Sequence, residues 1–258
     1  MTDAARVAVL SDIHGNLPAL EAVLADVESV GVDLLVLNGD LADGPFPVET
    51  LDLLRSLGSR AVWIRGNGDR WLVEAFDGLF RPTGGPADEL VAWAAGHLTR
   101  EHRDLLAAAP LTASLKIAGS PVGFCHATGN DDEEMLLVDS TIGQFRRAFA
   151  GMPQEMVVVG HCHMPFDRLV DRRRIVNAGS VGMPYGHRGA SWALLDGNVT
   201  LRRTDYDLDA AAAAMGRTSM PDVHAFINEN VCDTPSDVEA MEVFGAVRTR
   251  QQSDRSAL

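Results

Sequence analysis

Cysteine is scarce in this 258-residue chain, which has three: Cys125, Cys162 and Cys232. An odd, sparse set builds no disulfide framework, and a reducing compartment is the simpler setting. Positive charge is also short, with 22 Lys and Arg against 36 Asp and Glu and a formal net charge of −14. An acidic surface repels phosphate backbones, which argues against a dedicated DNA or RNA binder. No apolar run approaches the ~20 residues that cross a bilayer. The opening MTDAARVAVLSD lacks the basic segment and apolar stretch of a signal peptide. The expected location is cytoplasmic, without a membrane partner. Internal repeats, low-complexity tracts and flexible linkers are missing too. What is present is an ordinary globular composition, 46% hydrophobic and 22% charged, with enough apolar side chains for a sizeable core.

The first half alternates strand with helix. Residues 6–10, RVAVL, form a short apolar run ending at Ser11-Asp12. Leu17, Leu20, Val23, Leu24 and Val27 then recur at helical spacing, with Gly31 as a stop. Strands are expected at 34–37 and 61–64, and helices at 48–57, 71–76 and 87–108, the last two separated by RPTGGP. This alternation is the mark of βαβ units around a mostly parallel sheet. After Pro110 short strands dominate: 112–118, 121–125, 156–160, 167–170, 174–177, 191–196 and 198–204. One helix interrupts them at 142–150, and Gly197-Asn198 is a plausible hairpin turn. This half reads as a largely β layer packed on the first. The expected layout is a main domain over 1–205 and a C-terminal helical appendage over 206–258, its polar end RTRQQSDRSAL frayed.

Chemistry concentrates at the expected strand ends: Asp12-x-His14, Gly39-Asp40, Gly66-Asn67, His126, and Gly160-His161-Cys162-His163. In extended backbone, residues two apart point to one face, so each Asp-x-His or His-x-His pair can reach one centre. Ligands bind beyond the carboxyl ends of strands in α/β sheets. Imidazoles with carboxylates and an amide oxygen suit Mn, Fe, Co, Ni or Zn. Seven candidate ligands exceed the need of one ion, and a carboxylate can bridge two. Two ions roughly 3.5–4 Å apart can hold a hydroxide and clamp a phosphate being displaced in line. Taken singly, Asp12 reads equally well as a helix N-cap, Gly39-Asp40 as a turn and His126 as a core histidine.

The series SDIHGN, NGD, RGNGD, FCHA, GHCH and NAGSVG resembles the calcineurin-like metallophosphoesterases, in particular the small phosphodiesterase branch of bacteria and archaea. The resemblance spans Asp12 to Gly182. It implies an α/β (α+β) four-layer sandwich, two facing mixed β-sheets flanked by helices, with a dinuclear centre at one edge. It also implies Asp12, His14 and His163 on one divalent transition ion, manganese foremost, and Asn67, His126 and His161 on the other. Asp40 bridges the two in this scheme, and Asn16 lies near the bound phosphate together with Asn67. The expected activity is phosphodiester hydrolysis by a metal-bridging hydroxide on a small or accessible phosphoester. A phosphoprotein phosphatase, a nuclease or an inactive metal-binding scaffold are the alternatives.

One position departs from the family pattern. Where many members carry a histidine after Gly-Asn, this chain has Gly68, which cannot protonate a leaving alkoxide. General acids typically contribute ~10²–10⁴-fold. The loop after NAGSVG offers His187 as a substitute acid and Arg188 as a phosphate contact, against the plainer reading of a solvated loop. Asn67, His126 and His187 are thus the candidate catalytic residues. Cys125 and Cys162 are expected in the core, and Arg70 is expected to pair with Asp69. Residues 131–134 are expected as a solvated acidic loop, and His97 and His102 at the surface.

Overall fold

Strands buried on both faces carry unbroken apolar runs, and VAVL, LLVL and MVVV are such runs. The computed structural model describes residues 3–256 apart from Thr83 and Pro86. The first half contains β1 (Asp3–Ala4), β2 (Val7–Leu10), α1 (Leu17–Val30), β3 (Leu34–Asn38), α2 (Pro47–Ser56), β4 (Ala61–Ile64), α3 (Asn67–Phe76), α4 (Ala87–His97) and α5 (Arg100–Ala108). It continues through β5 (Thr112–Ile117), β6 (Ser120–Cys125), α6 (Ile142–Ala148), β7 (Met156–Val159), β8 (Phe166–Val170) and β9 (Arg173–Asn177). The last elements are β10 (Ala190–Leu195), β11 (Val199–Thr204), α7 (Leu208–Met215), α8 (Val223–Ile227) and α9 (Asp237–Ser256).

Two mixed sheets face each other, with strand orders β11-β10-β2-β3-β4 and β1-β5-β6-β7-β9-β8. Side-chain alternation builds the layers directly. Val7, Val9 and Val36 point between the sheets, where they meet Phe124, Val158 and Val176. Their neighbours Ala8, Leu10, Leu35 and Leu37 point outward and pack under the helices of the first half. On the other sheet Val157, Val159 and Ile175 face outward, towards α6 and α9. The result is helix, sheet, sheet, helix, the expected four-layer sandwich.

Several expectations need correction. The helix expected over 87–108 is two: Leu98 and Thr99 interrupt it, and Thr99 caps α5 by accepting from His102 N. The RPTGGP break lies partly outside the described residues. β10 and β11 do form a hairpin around Gly197, whose φ is +94°. That hairpin does not extend the second sheet; β10 pairs antiparallel with β2, placing Ala193 opposite Val9. The exchange is reciprocal, because Asp3–Ala4 leaves the first sheet and pairs parallel with β5. The polar stretch expected to fray continues α9 through Ser256, anchored by Arg248 and Gln251; Ala257 and Leu258 lie outside the described residues. Among the described residues no helix is long and apolar enough to cross a membrane.

Phe124 is fully buried between the two sheets. Phe124→Ala should destabilise the protein by about 3–5 kcal/mol in urea unfolding. A loss below about 1 kcal/mol would contradict this account of the central layer.

Candidate metal centre

Both sheets deliver their chemistry to one edge. Asp12 and His14 follow β2, Asp40 follows β3, and Asn67 opens α3 just after β4. His126 follows β6, and His161 and His163 follow β7. The connections are zipped together by main-chain hydrogen bonds: Asp12 N donates to Gly39 O at 2.9 Å and His14 N to Asp40 O at 3.0 Å. Gly160 N donates to His126 O at 2.8 Å.

The backbone there is not extended. Asp12, His14, Asp40, His161 and His163 all have positive φ, between +47° and +67°. A left-handed conformation costs an L-residue roughly 1–2 kcal/mol, and such outliers gather at functional sites. The pairs two residues apart therefore converge through tight left-handed turns, rather than through the strand alternation expected from spacing. Close approach also explains Gly66: a Cβ there would lie 2.2 Å from Asp40 Oδ1.

Four imidazoles surround two carboxylates. His163 Nε2 lies 3.2 Å from Asp12 Oδ1 and 3.1 Å from His14 Nε2. His126 Nε2 lies 3.2 Å from Asp40 Oδ2 and 3.8 Å from Asp12 Oδ1. Asp40 also reaches His14 Nε2, at 4.0 Å. Each ring has its outer nitrogen fixed. His126 Nδ1 donates to Asn38 O at 2.8 Å, His163 Nδ1 to Met183 O at 2.9 Å and His161 Nε2 to Glu133 O at 3.1 Å. His14 Nδ1 faces Asp43 Oδ2 at 3.1 Å. Outer acceptors of this kind set the tautomer so that the inner nitrogen presents its lone pair to a metal.

The Asn67 amide sits at the same cluster, one of its terminal atoms 3.0 Å from His161 Nδ1 and 3.1 Å from Asp132 O. Two groups have spacing fit for an ion, Asp12 with His14 and His163, and Asp40 with His126 and His161. A third, His14 with Asp40 and Asp43, overlaps them.

Electrostatics follow from packing without a cation. Burial penalises the His14 imidazolium, but Asp43, Asp40 and Asp12 overcome that and raise it to about 9. His126 likewise resists burial and rises to about 10 beside Asp40 and Asp12. His161 goes the other way, to about 4, because burial and the neighbouring His126 both disfavour its charge. Asp40, though buried, is held below the usual carboxylate range by His126 and His14.

Sequence reasoning missed the supporting carboxylates. Asp69 does not pair with Arg70; its oxygens accept from Asp40 N, Leu41 N and Gly66 N at 2.9–3.0 Å, tying two connections together. Burial and the nearby Asp40 push its carboxyl up to about 7. The acidic run is not simply solvated. Asp132 is buried and takes Arg70, while the Glu133 carbonyl seats His161. An Asp three residues into α3 was the available signal for the first; no local pattern marked the second.

The remaining candidates divide. Asn16 is fully buried, its oxygen capping α1 at Ala19 N and its amide donating to Gly182 O and Tyr206 Oη. This gives Asn16 the N-cap role weighed for Asp12. His187 and Arg188 are exposed, and no hydrogen bond or ion pair engages them among the described residues. Their loop still borders the cluster through Met183 and through Tyr185, which stacks on His163 with ring centres 5.5 Å apart. Cys125 and Cys162 are buried as expected, and His97 is exposed, whereas His102 is buried against Asp52.

A metal-compatible cluster thus sits at the shared edge of two stacked sheets, the arrangement that the motif resemblance implied. The chain belongs to the calcineurin-like phosphoesterase superfamily, whose domain matches residues 6–199. It is a metallophosphoesterase, a hydrolase of phosphoesters. An uncharacterized protein of Methanocaldococcus jannaschii is 30% identical over 84% of this chain and 94% of its own length. A symmetrical bis(5'-nucleosyl)-tetraphosphatase of Pectobacterium carotovorum is 37% identical, over 33% of this chain and 34% of that enzyme. Among solved structures, a metallophosphoesterase from Sphaerobacter thermophilus superposes with a TM-score of 0.69 at 26% identity, covering 87% of this chain and 97% of that one. A hypothetical protein from Pyrococcus horikoshii shares the fold with a TM-score of 0.77 at 21% identity, covering 91% and 100%.

The raised histidines give a pH prediction. Their charge contributes stability that is fully present below about pH 6.5, the unfolded value. In metal-free protein it is lost as pH rises through about 9 for His14 and about 10 for His126. A cation must displace those protons, so binding strengthens with pH. The increase in Tm on adding manganese should be larger at pH 8.5 than at pH 6. An equal or smaller increase at pH 8.5 would contradict the assignment.

Proposed function

We propose that this protein is a phosphodiesterase acting on small phosphoesters through a two-ion centre. Asp12, His14 and His163 would hold one divalent transition ion and Asn67, His126 and His161 the other, with Asp40 within reach of both groups. The observation that carries this is the convergence of four imidazoles and the Asn67 amide on two buried carboxylates, each imidazole held from outside by a protein acceptor. Bound there, such ions supply positive charge to a phosphate and make water a better nucleophile at neutral pH. Manganese is the first candidate, with Fe, Ni, Co and Zn compatible with the same donors. The likeness to a dinucleoside tetraphosphatase supports a small nucleotide ester among the substrates to screen.

The chain's own groups set how the reaction proceeds. Asn67 and His126 keep their polar atoms at the cluster, and the shared turns hold them there before substrate arrives, which removes reorganisation from the barrier. Asp40 Oδ1 accepts from Gly68 N at 2.7 Å, leaving Oδ2 for the centre. The exposed loop carrying His187 and Arg188 is where a proton donor and a phosphate contact are to be sought.

Gly68 is kept small by its surroundings. A Cβ there would sit 2.5 Å from Asp43 Oδ2, the oxygen that holds His14. Without a donor at 68, departure of the leaving oxygen depends on its own basicity. Aryl phosphodiesters should therefore be cleaved at least ~10²-fold faster than unactivated alkyl diesters, the low end of what a general acid supplies. Gly68→His should not rescue the alkyl esters, because the new side chain displaces Asp43 from His14. His187→Ala should widen the gap if His187 supplies the proton. Equal wild-type rates on both ester types, with chemistry rate-limiting, would refute this account of the leaving group.

A further inference from the structure

The C-terminal helix α9 lies outside the matched domain yet touches the surroundings of two of the candidate ligands. Its inward stripe runs through Ala240, Phe244, Arg248, Gln251 and Arg255, three or four residues apart, which places them on one helical face. Gln251 meets the segment that seats His161: its Nε2 donates to Glu133 O at 2.7 Å and its Oε1 accepts from Met135 N at 2.8 Å. The same Glu133 carbonyl accepts from His161 Nε2 at 3.1 Å. One amide thus fixes the acceptor that fixes the histidine. Arg255 adds ion pairs to Asp131 and Glu134 on either side.

Phe244 meets the other histidine. Its ring lies edge-on to His163 at 6.3 Å and to Tyr185 at 5.5 Å, and Tyr185 stacks on His163 at 5.5 Å, so the three rings form a mutual cluster. Gly186 N donates to Pro235 O just ahead of the helix, closing the loop over this aromatic group. Contacts of this type hold a ring's orientation, and the orientation of a ligand ring sets metal affinity.

We infer that α9 completes the metal centre, with Gln251 a positioning residue for His161 and Phe244 a positioning residue for His163. The inference rests on the two-ion reading above. It gives the appendage a task in binding each ion separately, because the two chains of contact end on different histidines.

Manganese(II) uptake by the full chain, stripped of metal and titrated in a calorimeter, tests this. Wild type should show two binding events. Gln251→Ala should weaken one of them by about ten-fold, the usual loss when a group supporting a ligand is removed, and leave the other unchanged. Gln251→Met, which keeps bulk and helix propensity but neither hydrogen bond, should do the same. Phe244→Ala should weaken the other event, and Phe244→Tyr, which keeps the ring, should restore it. Arg250→Ala, at an exposed position of α9 that makes no hydrogen bond or ion pair among the described residues, should change neither event. Circular dichroism and Tm identify any variant that fails to fold. Unchanged uptake in folded Gln251 and Phe244 variants would overturn the inference, as would equal weakening by Arg250→Ala. Fewer than two events in wild type would instead refute the two-ion centre itself.

Discussion

Two carboxylates, Asp12 and Asp40, are buried at the seam where two sheets end, and the rest of the structure is arranged around that cost. A buried charge is expensive unless paired and hydrogen-bonded. His161 N donates to both Asp12 oxygens and Gly68 N to Asp40. Four imidazoles crowd the remaining lone pairs, and two of them take protons readily in the absence of a cation. The left-handed turns at five of these residues are a second expense, met by the hydrogen bonds that zip the connections to one another. A cation bound among the imidazoles would relieve both their crowding and the repulsion between the carboxylates.

The sandwich explains why so few residues suffice. Parallel strands of both sheets end on the same side, so seven side chains from five connections arrive without long loops. Asp69 then ties the connection after β3 to the one after β4 through three main-chain donors. Asn177 and Ser180 hold the NAGSVG segment, with Ser180 Oγ donating to Asp12 O at 2.7 Å. The connections at this edge are held to one another largely by hydrogen bonds to backbone.

Much of this was legible in the sequence, for identifiable reasons. Strands buried on both faces announce themselves as apolar runs, and α1 is marked by its period and by Gly31, which adopts the left-handed cap. The candidate ligands stood out because Asp, Asn and His interrupt apolar runs at their ends. Other features depend on tertiary partners that no local pattern encodes. The two residues of β1 are too short to register, and their strand exists only because β5 offers an edge. The α9 tail looked like a frayed polar end because Arg248, Gln251 and Arg255 find their partners more than a hundred residues away. Asn16 shows the converse, a residue of a recognisable motif whose polar atoms are spent on capping and on Gly182.

The central claim is that one buried cluster holds two cations through a shared Asp40. Anomalous diffraction at the manganese edge, from crystals grown with manganese(II), tests it most directly. The account predicts two peaks, one against Asp12, His14 and His163 and one against Asn67, His126 and His161, with Asp40 in contact with both. A single peak, or peaks away from Asp40, would contradict it.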